Sequence, residues 1–415
     1  MTRKEQMEQL ALAAVRKGVC VQPGQLVVIK AQVEMIEAVR EIARQAWLAG
    51  AGDVEVIWSD QTLDRLFYTN ASDDTLANPP KWMVERLEEA AKQNACFIAL
   101  SGADPDGIAG TDPARMLKRT LAMSRQTVAY KEGIDAGKLA WTVIAIPTVG
   151  WAKKVYPDLE ADQAMDALWN DVIEVSRANG DVLANWDAHA ANFRTKLDTL
   201  NSMNFEKFHY TASNGTDLWV EIPEGAIFVG GSTRLENGLV INCNIPTEEL
   251  FTAPKKTGVN GRLESMMPLN WNGKLINGFG FEFKDGKVIG MHADEGEDSL
   301  KALLESDPNG CYLGELALVD KNTPIRQLGR TFFNTLIDEN AACHFALGQS
   351  YVETLPGAEK WSKEELEAHG MNQSDIHVDF MVGADDLHIT GYTRDGREVD
   401  VFVNGAFAPT FDRTE

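Results

Sequence analysis

The stretch QLVVIKAQVEMIEAVREIARQAWLAGAGDVEVIW (25–58) decides the fold prediction for the first half of the chain. It begins with a short apolar run, QLVVIK (25–30), which is typical of a buried strand. Apolar residues then recur at the spacing of one helix face over 34–48: Ile36, Val39, Ile42, Ala43 and Trp47. Gly50 and Gly52 mark the end of this helix, and DVEVIW (53–58) has the pattern of a second strand. The stretch therefore predicts a β-α-β unit.

The same alternation continues outward from this unit. The next predicted elements are a helix at 80–94, a strand at 96–100, a helix at 113–124, a strand at 140–146, and helices near 160–177 and 181–202. Pro80 suits the start of its helix, where a missing N–H costs nothing. Because repeated β-α-β connections place strands side by side in parallel, we predict an α/β domain over 1–203 with a mostly parallel sheet.

After about residue 203 the pattern changes to short β-like runs between Gly and Asn turns. These runs are 206–211, 216–222, 238–243, 278–283, 287–292, 386–392 and 398–403. The segments DGK (285–287) and DGRE (395–398) have the composition of hairpin turns. Helices are predicted near 297–305 and 324–336. The expected second domain, 204–415, is therefore a β-rich α+β domain.

The chain has 415 residues and a formal net charge of −23 at pH 7. The length favours two domains. An acidic surface repels phosphate backbones and anionic lipids, so we expect neither nucleic acid nor membrane as a partner. It attracts metal cations and substrates that carry an amine, although ordinary cytosolic proteins are often as acidic.

The cysteines indicate a reducing compartment. They are five in number, widely spaced and never in a CxxC pair: Cys20, Cys96, Cys243, Cys311 and Cys343. This pattern predicts neither disulfides nor a thiolate zinc site. Residues 3–17 have the pattern of an amphipathic helix rather than a signal peptide, and no run of 18 apolar residues occurs. The expected location is the cytoplasm.

Several common catalytic motifs are absent from the sequence. Gly50-Ala51-Gly52 follows a helix and precedes a strand, which is the reverse of the order in a dinucleotide-binding loop. The chain contains no GxxxxGK[ST] loop and no GxSxG serine elbow. Cys343 is next to His344, but adjacent side chains point apart and rarely form a nucleophile–base pair.

His377 and Asp379 are the first candidate metal ligands. If the run around them is a strand, both side chains project to the same face, with Val378 on the other. Imidazole and carboxylate are common ligands of zinc and related cations. An exposed strand face also favours polar residues, so this pair alone does not decide between a metal site and solvent.

Other acids and a histidine in the second half extend this set. Glu248 and Glu249 are adjacent between two prolines, and extended geometry would point them in opposite directions. Glu315 lies inside an apolar, strand-like run, where a buried acid needs a partner such as a metal or an arginine. His344 lies among small apolar residues. A solvated loop, an arginine pair and a hydrogen-bonded core histidine are the ordinary alternatives.

The segments that carry these residues resemble a known family when they are taken together. They are PTEELFTAP (246–254), GELALVD (314–320), FNTLIDENAACHFALGQSY (333–351) and HVDFMVG (377–383). Their order and spacing are similar to those of the M29 metallo-aminopeptidases, the thermophilic aminopeptidase family. GVCVQPGQLVVI (18–29) and WAKKVYPD (151–158) extend the resemblance over essentially the full chain.

The resemblance implies a set of site residues. The metal ligands of the family fall on Glu249, Glu315, His344, His377 and Asp379, and its active-site tyrosine falls on Tyr351. Glu248 and Glu339 are both candidates for the carboxylate that transfers protons. Either Glu249 or Glu315 is the expected bridge between two cations, with zinc, cobalt or manganese as the occupants. The family enzymes are two-domain homodimers that remove N-terminal residues from peptides with a free N-terminus.

The expected reaction is peptide-bond hydrolysis by water that two cations activate, with Tyr351 as a hydrogen-bond donor to the developing oxyanion. The first domain, which carries none of these residues, is expected to limit access to the site or to form the dimer. Two alternatives remain open at this point. One is a dinuclear amidase or esterase that acts on non-peptide substrates, and the other is a non-catalytic metal-binding protein.

Overall fold

The structure is a computed structural model that describes residues 1–271 and 274–411. It contains two compact units. The first consists of Met1–His189, Ser232–Thr247 and Arg330–Asp338, and the second of Ala190–Gly231, Glu248–Gly329 and Glu339–Glu415. The predicted division into domains 1–203 and 204–415 stays a prediction.

The first unit contains the predicted parallel sheet. Its strands, in spatial order, are Asn244–Ile245, Trp141–Ala145, Cys96–Ser101, Leu26–Gln32 and Asp53–Ser59. Each pairing between neighbours is parallel, which confirms the prediction from the β-α-β pattern. The strand Asn244–Ile245 comes from a distant part of the chain, and the run 238–243 was not expected to lead into this sheet.

The first unit contains the predicted helices and others that were not predicted. They are Arg3–Ala13, Ile36–Ala49, Gln61–Asn70, Asp73–Ala77, Lys81–Lys92, Pro113–Gln126, Val128–Asp135, Val149–Val155 and Ala161–Val175, with Val182–Ser202 running on into the second unit. The helices Gln61–Asn70, Asp73–Ala77, Val128–Asp135 and Val149–Val155 were not predicted. Gly50 ends the helix Ile36–Ala49 with a φ of 97°, a left-handed conformation that glycine adopts without strain. The side chain of Asp112 accepts a hydrogen bond from the N–H of Ala114 and caps the helix that begins at Pro113.

The second unit contains a large antiparallel sheet. Its strands are Phe205–Thr211, Asp217–Glu221, Val259–Glu264, Leu269–Trp271, Lys274–Lys284, Lys287–Glu295, His388–Thr393, Glu398–Val403 and Ala406–Phe407. The two predicted hairpins join Lys274–Lys284 to Lys287–Glu295 and His388–Thr393 to Glu398–Val403. The helix Glu297–Glu305 has the predicted bounds.

A second sheet of this unit, which we call the site sheet, has five strands. Their spatial order is His377–Met381, His344–Gly348, Leu313–Leu318, Leu250–Thr252 and Val229–Gly230, and all neighbours are antiparallel. One face contributes to the hydrophobic core of the unit through residues such as Leu316, Phe345 and Phe380. The ring of Phe380 lies 5.3 Å from that of Phe281 on the large sheet. The candidate ligands alternate with these core residues along the strands and lie on the other face.

The predicted helix over 324–336 is wrong as a continuous element. The structure has short helices at Pro324–Gln327 and Thr335–Asp338 instead. Gly329 lies between them with a φ of 61°, which is incompatible with a continuing right-handed helix. The remaining short helical turns in the part of the chain described are at 14–18, 33–35, 339–341, 352–354, 358–360, 363–368 and 409–411.

Candidate metal centre

The register of the site sheet explains why residues far apart in sequence meet. Glu315 lies opposite Ala346, which in turn lies opposite Asp379 on the next strand. Residues paired across a sheet project to the same face, so the two carboxylates flank a single methyl group. His377 and Asp379 lie on one strand, two residues apart, and therefore share this face, as their spacing predicted.

The imidazoles lie directly against the carboxylates. The Nε2 atom of His344 is 3.1 Å from Oε2 of Glu249, which immediately precedes a strand of the site sheet. The Nε2 atom of His377 is 2.9 Å from Oε2 of Glu315 and 3.3 Å from Oδ1 of Asp379. The structure thus brings together all five residues that the resemblance pointed to as ligands.

These side chains form two overlapping groups of potential ligand atoms. One group is Glu249, Glu315 and His344, and the other is Glu315, His377 and Asp379. Within each group, one ligand atom of every residue lies within 4.8 Å of the others. Glu315 belongs to both groups and is the residue that they share.

Each histidine is oriented by a backbone carbonyl. The Nδ1 atom of His344 lies 3.1 Å from the carbonyl oxygen of Ala342, and Nδ1 of His377 lies 2.8 Å from that of Gln349. A carbonyl oxygen can only accept, so Nδ1 must carry the proton in both rings. Nε2 is then the nitrogen that faces the carboxylates, and it can give its lone pair to a cation once its own proton is lost. This is the tautomer of a metal-ligating histidine with a hydrogen-bonded outer nitrogen.

The centre is buried and rich in negative charge. Glu315 is 4% exposed and His344 is 2% exposed. Burial raises the pKa of Glu315 to about 7, and the neighbouring carboxylates of Glu249 and Asp379 act in the same direction. Burial alone would lower the pKa of His344, but the hydrogen bond and charge of Glu249 raise it to about 10. Without a bound cation the group therefore retains protons between its ligand atoms.

The residues fit divalent cations by charge, donor type and spacing. Oδ1 of Asp379 is buried and accepts no well-formed hydrogen bond from the described residues. Carboxylate oxygen and imidazole nitrogen both bind zinc, and two atoms that each lie about 2.0 Å from a tetrahedral ion are about 3.3 Å apart. The contacts of 2.9–3.3 Å between Nε2 and carboxylate oxygens are close to that separation. Divalent cations and protons would compete for these atoms.

Tyr351 lies at the edge of this group. Its ring centroid is 4.6 Å from the ring of His377 and 5.7 Å from that of Phe251. The residue is 43% exposed, so it is accessible from solvent. Burial of the hydroxyl and the negative charges of Glu315 and Asp379 raise the pKa of Tyr351. Its hydroxyl therefore stays protonated and available as a donor.

The two candidate proton-transfer residues differ in their surroundings. Burial raises the pKa of Glu339, and the charges of Glu249 and Asp379 raise it further, so Glu339 lies within the electrostatic reach of the centre. Glu248 is 6% exposed, and its backbone N–H donates to Oδ1 of Asn340 at 2.6 Å. The side chain of Glu248 is not in either group of clustered ligand atoms.

Comparison with protein-family models identifies the family of this chain. The model of the family described as "Thermophilic metalloprotease (M29)" matches residues 3–407. The chain belongs to the M29 family. The prediction made from the four C-terminal segments is therefore confirmed.

Known M29 proteins match over nearly the full chain. Aminopeptidase 2 of Geobacillus stearothermophilus is 37% identical over 406 residues, which cover 98% of each protein. Aminopeptidase AmpS of Bacillus subtilis is 37% identical over 405 residues, 97% of this chain and 98% of the relative. The solved structure of wild-type AmpT from Thermus thermophilus superposes with a TM-score of 0.91 at 34% identity, covering 98% of this chain and 100% of that one. The predicted class, a metallo-aminopeptidase with α/β and β-rich parts, is confirmed by these matches.

The groups that orient the two candidate histidine ligands were not predicted from the sequence. The carbonyl groups of Ala342 and Gln349 fix the two imidazoles, but a backbone carbonyl leaves no signature in a sequence. Asn340 could have been noticed, because it is a polar residue beside the apolar run AACHFALG (341–348). In the structure it is fully buried and binds the backbone next to Glu249.

Gly314, the residue before Glu315, offers a test of this packing. A Cβ atom added to Gly314 would lie 2.3 Å from the carbonyl oxygens of both Gly348 and Gln349. We expect Gly314→Ala to destabilise the protein by about 1–3 kcal/mol, because the backbone must move apart. It should also weaken metal binding, since the displaced Gln349 carbonyl orients His377.

The thermal midpoint and the metal content of Gly314→Ala would be measured beside those of Gly290→Ala. At Gly290 an added Cβ would meet only the Glu282 side chain, at 3.2 Å. Equal midpoints and equal metal contents for the two variants would show that the strand tolerates a methyl group at residue 314.

Proposed function

We propose that this chain is an aminopeptidase that releases N-terminal residues from peptides and holds two divalent cations in the candidate metal centre. The observation that carries the proposal is the pair of overlapping ligand groups joined by Glu315. In dinuclear hydrolases a shared carboxylate holds two cations at about 3.5–4 Å from each other. The membership in a metalloprotease family and the aminopeptidase relatives support the same reading.

Each ligand group would hold one cation. Glu249 and His344 would bind the first, His377 and Asp379 the second, and Glu315 would bridge them. The mixed oxygen and nitrogen ligands suit zinc, cobalt or manganese. When bound, such cations polarise a peptide carbonyl and make water a stronger nucleophile at neutral pH.

The remaining site residues would stabilise the developing negative charge and transfer a proton to the leaving amine. The Tyr351 hydroxyl, which stays protonated, would donate a hydrogen bond to the carbonyl oxygen as negative charge develops on it. Glu339 is our first candidate for the carboxyl that passes a proton to the leaving amine, because burial raises its pKa and so favours the protonated form. Glu248 is the second candidate, since it adjoins Glu249 and is buried.

The acidity of the site supports recognition of a free N-terminus. Glu248 and Glu339 lie outside both groups of ligand atoms, so their carboxyl oxygens would be available to a substrate ammonium group. A peptide with a blocked amine would lose this attraction. The proposed substrates are therefore peptides with an unmodified first residue.

The family resemblance also leads us to propose a homodimer in the cytoplasm. No disulfide joins the cysteines of the described residues, which is consistent with a reducing compartment. Within the described residues no helix combines the length and the apolar character needed to cross a membrane.

The test of the proposed reaction uses leucine and alanine p-nitroanilides with N-acetylated versions as controls. We expect cleavage of the free-amine substrates alone. Equal cleavage of acetylated substrates would indicate an amidase or esterase, which the aminopeptidase relatives do not favour. Tight metal binding without turnover of any substrate would indicate a structural metal site, which is normally closed to water.

Removing the metal should lower both activity and stability. We expect EDTA treatment to abolish turnover and to reduce the thermal midpoint, because buried carboxylates lose their counter-charge. At free metal about 1,000 times Kd, binding stabilises the folded state by about 4 kcal/mol. For units of about 200 residues this corresponds to roughly 8–16 °C.

Calorimetry before and after EDTA treatment, followed by addition of Zn²⁺, Co²⁺ or Mn²⁺, measures this effect. A thermal midpoint that is insensitive to chelation, together with undiminished turnover, would contradict a role for metal at this site.

A further inference from the structure

Asn372 is fully buried and binds the turn that precedes Tyr351. Its side-chain Nδ2 donates to the carbonyl oxygens of Gly348 at 2.7 Å and of Asn309 at 2.9 Å. Its backbone N–H donates to Oγ of Ser350 at 3.1 Å, and its carbonyl accepts from the backbone N–H of Ser350 at 2.9 Å. The Asn372 carbonyl also accepts from Nε2 of Gln373 at 3.2 Å. Of these five hydrogen bonds, three hold residues 348–350.

The same turn fixes two residues of the centre. The N–H of Gln349 donates to the carbonyl of Ile376 at 2.7 Å, and the carbonyl of Gln349 lies 2.8 Å from Nδ1 of His377. Tyr351 follows Ser350 directly, and its ring packs on His377 at 4.6 Å between centroids. A shift of this turn would therefore rotate the His377 ring and displace the Tyr351 side chain together.

The chemistry of asparagine suits this position. The two hydrogens on Nδ2 satisfy two carbonyl groups at once, which neither aspartate nor an aliphatic residue can do. Oδ1 of Asn372 is buried and accepts no hydrogen bond from the described residues. Burying an unpaired amide oxygen costs free energy, so the fold retains this side chain for its two donor bonds.

We propose that Asn372 is a positioning residue of the metal centre. It holds the turn 348–351 so that the Gln349 carbonyl fixes the His377 ring and the Tyr351 hydroxyl faces the ligand groups. The expected effect of Asn372 on kcat rests on the proposed function. Its expected effect on the orientation of His377 concerns metal binding alone and can be measured without peptidase activity.

The test combines Asn372→Ala with a milder variant, Ser350→Ala. For Asn372→Ala we expect kcat to fall about 10–100-fold, and zinc affinity of the ligand group that contains His377 to fall by a similar factor. KM should change less than about threefold, because the loss lies in orientation rather than in substrate contact. The group that contains His344 should keep its affinity, so the variant binds its second zinc ion more weakly. The visible spectrum of the Co²⁺-loaded protein should change as the His377 ring turns.

Asn242→Ala is the matched control in the first unit. Asn242 is 7% exposed, its Nδ2 donates to the carbonyl of Lys17 at 2.8 Å, and its Oδ1 is also buried without a hydrogen-bond partner among the described residues. We expect this variant to lower the thermal midpoint as Asn372→Ala does. Its kcat, its zinc affinities and its Co²⁺ spectrum should equal those of the wild type.

The outcomes separate positioning from general stability. Folded Asn372→Ala with wild-type zinc affinities and kcat would overturn the proposal. If Asn372→Ala does not fold, Ser350→Ala decides the question. It removes one hydrogen bond of the turn and should lower kcat and the weaker zinc affinity about 2–10-fold, so wild-type values would again overturn the proposal. Absence of peptidase activity in the wild type would contradict the proposed function. The zinc affinities and the Co²⁺ spectrum would still test the positioning role of Asn372.

Discussion

Glu315→Gln should reduce kcat/KM for leucine p-nitroanilide by about 10³-fold, which makes it one of the two largest effects we expect. The side chain of Glu315 belongs to both ligand groups, and it is 4% exposed. Glutamine keeps the size of this side chain but removes the charge that a bridging ligand supplies. We therefore expect the variant to bind at most one zinc ion per chain, as counted by elemental analysis after dialysis.

Two further variants test whether Glu315→Gln loses activity because both ligand groups share this residue. Glu249→Gln alters one ligand group only, so it should lose one ion and retain the other. Glu264→Gln changes another buried glutamate, 8% exposed, whose Oε2 lies 3.1 Å from Nε2 of His292. Glu264 belongs to neither ligand group, so full metal content and activity are expected. A Glu315→Gln protein that still binds two ions would refute the bridging role.

Tyr351→Phe should reduce kcat by about 10²–10³-fold while leaving KM within about threefold, because a donor to the developing oxyanion acts only in the transition state. The ring contacts of Tyr351 with Phe251 and His377 do not involve the hydroxyl, so phenylalanine can retain them. Metal content and thermal midpoint should therefore stay at wild-type values. Steady-state kinetics on the p-nitroanilides, beside elemental analysis, would measure both quantities.

Tyr392→Phe is the control for loss of a tyrosine hydroxyl. Tyr392 lies on the large antiparallel sheet, where its ring contacts Trp219 at 5.2 Å. Removal of the Tyr392 hydroxyl should not change kcat. If Tyr351→Phe also kept wild-type kcat, Tyr351 would have no part in the chemistry. If Tyr351→Phe lost metal instead, the Tyr351 hydroxyl would be a metal ligand rather than a hydrogen-bond donor to the oxyanion.

Local sequence patterns were sufficient to predict four of the five strands of the parallel sheet. The apolar strands around Val27 and Ile98 and the helix face with Val39 and Ile42 are local signals, and each has its predicted type in the structure. The strand Asn244–Ile245 could not be predicted, since its pairing with residues 143–144 joins segments about 100 positions apart. The interruption at Gly329 depends on a positive φ that the helical pattern of 324–336 conceals.

The candidate ligands could be picked out in the sequence, whereas the groups that support them could not. His377 and Asp379 share a strand face, so their spacing carries information, and Glu315 was notable as an acid in an apolar run. Their meeting depends on the register that pairs Glu315 with Ala346 and Ala346 with Asp379, which no local pattern encodes. The supporting contacts of Asn372 with Gly348 and Ser350 are set by tertiary packing, and they became visible only in the structure.

A metal add-back titration tests the central claim, that two cations sharing Glu315 make this chain an aminopeptidase. The stripped protein would receive Zn²⁺ or Co²⁺ in steps, with bound metal and leucine p-nitroanilide turnover measured at each step. We predict that full turnover requires two ions per chain and that Glu315→Gln stays inactive throughout. Full turnover with a single ion per chain, or none with two ions bound, would contradict the account.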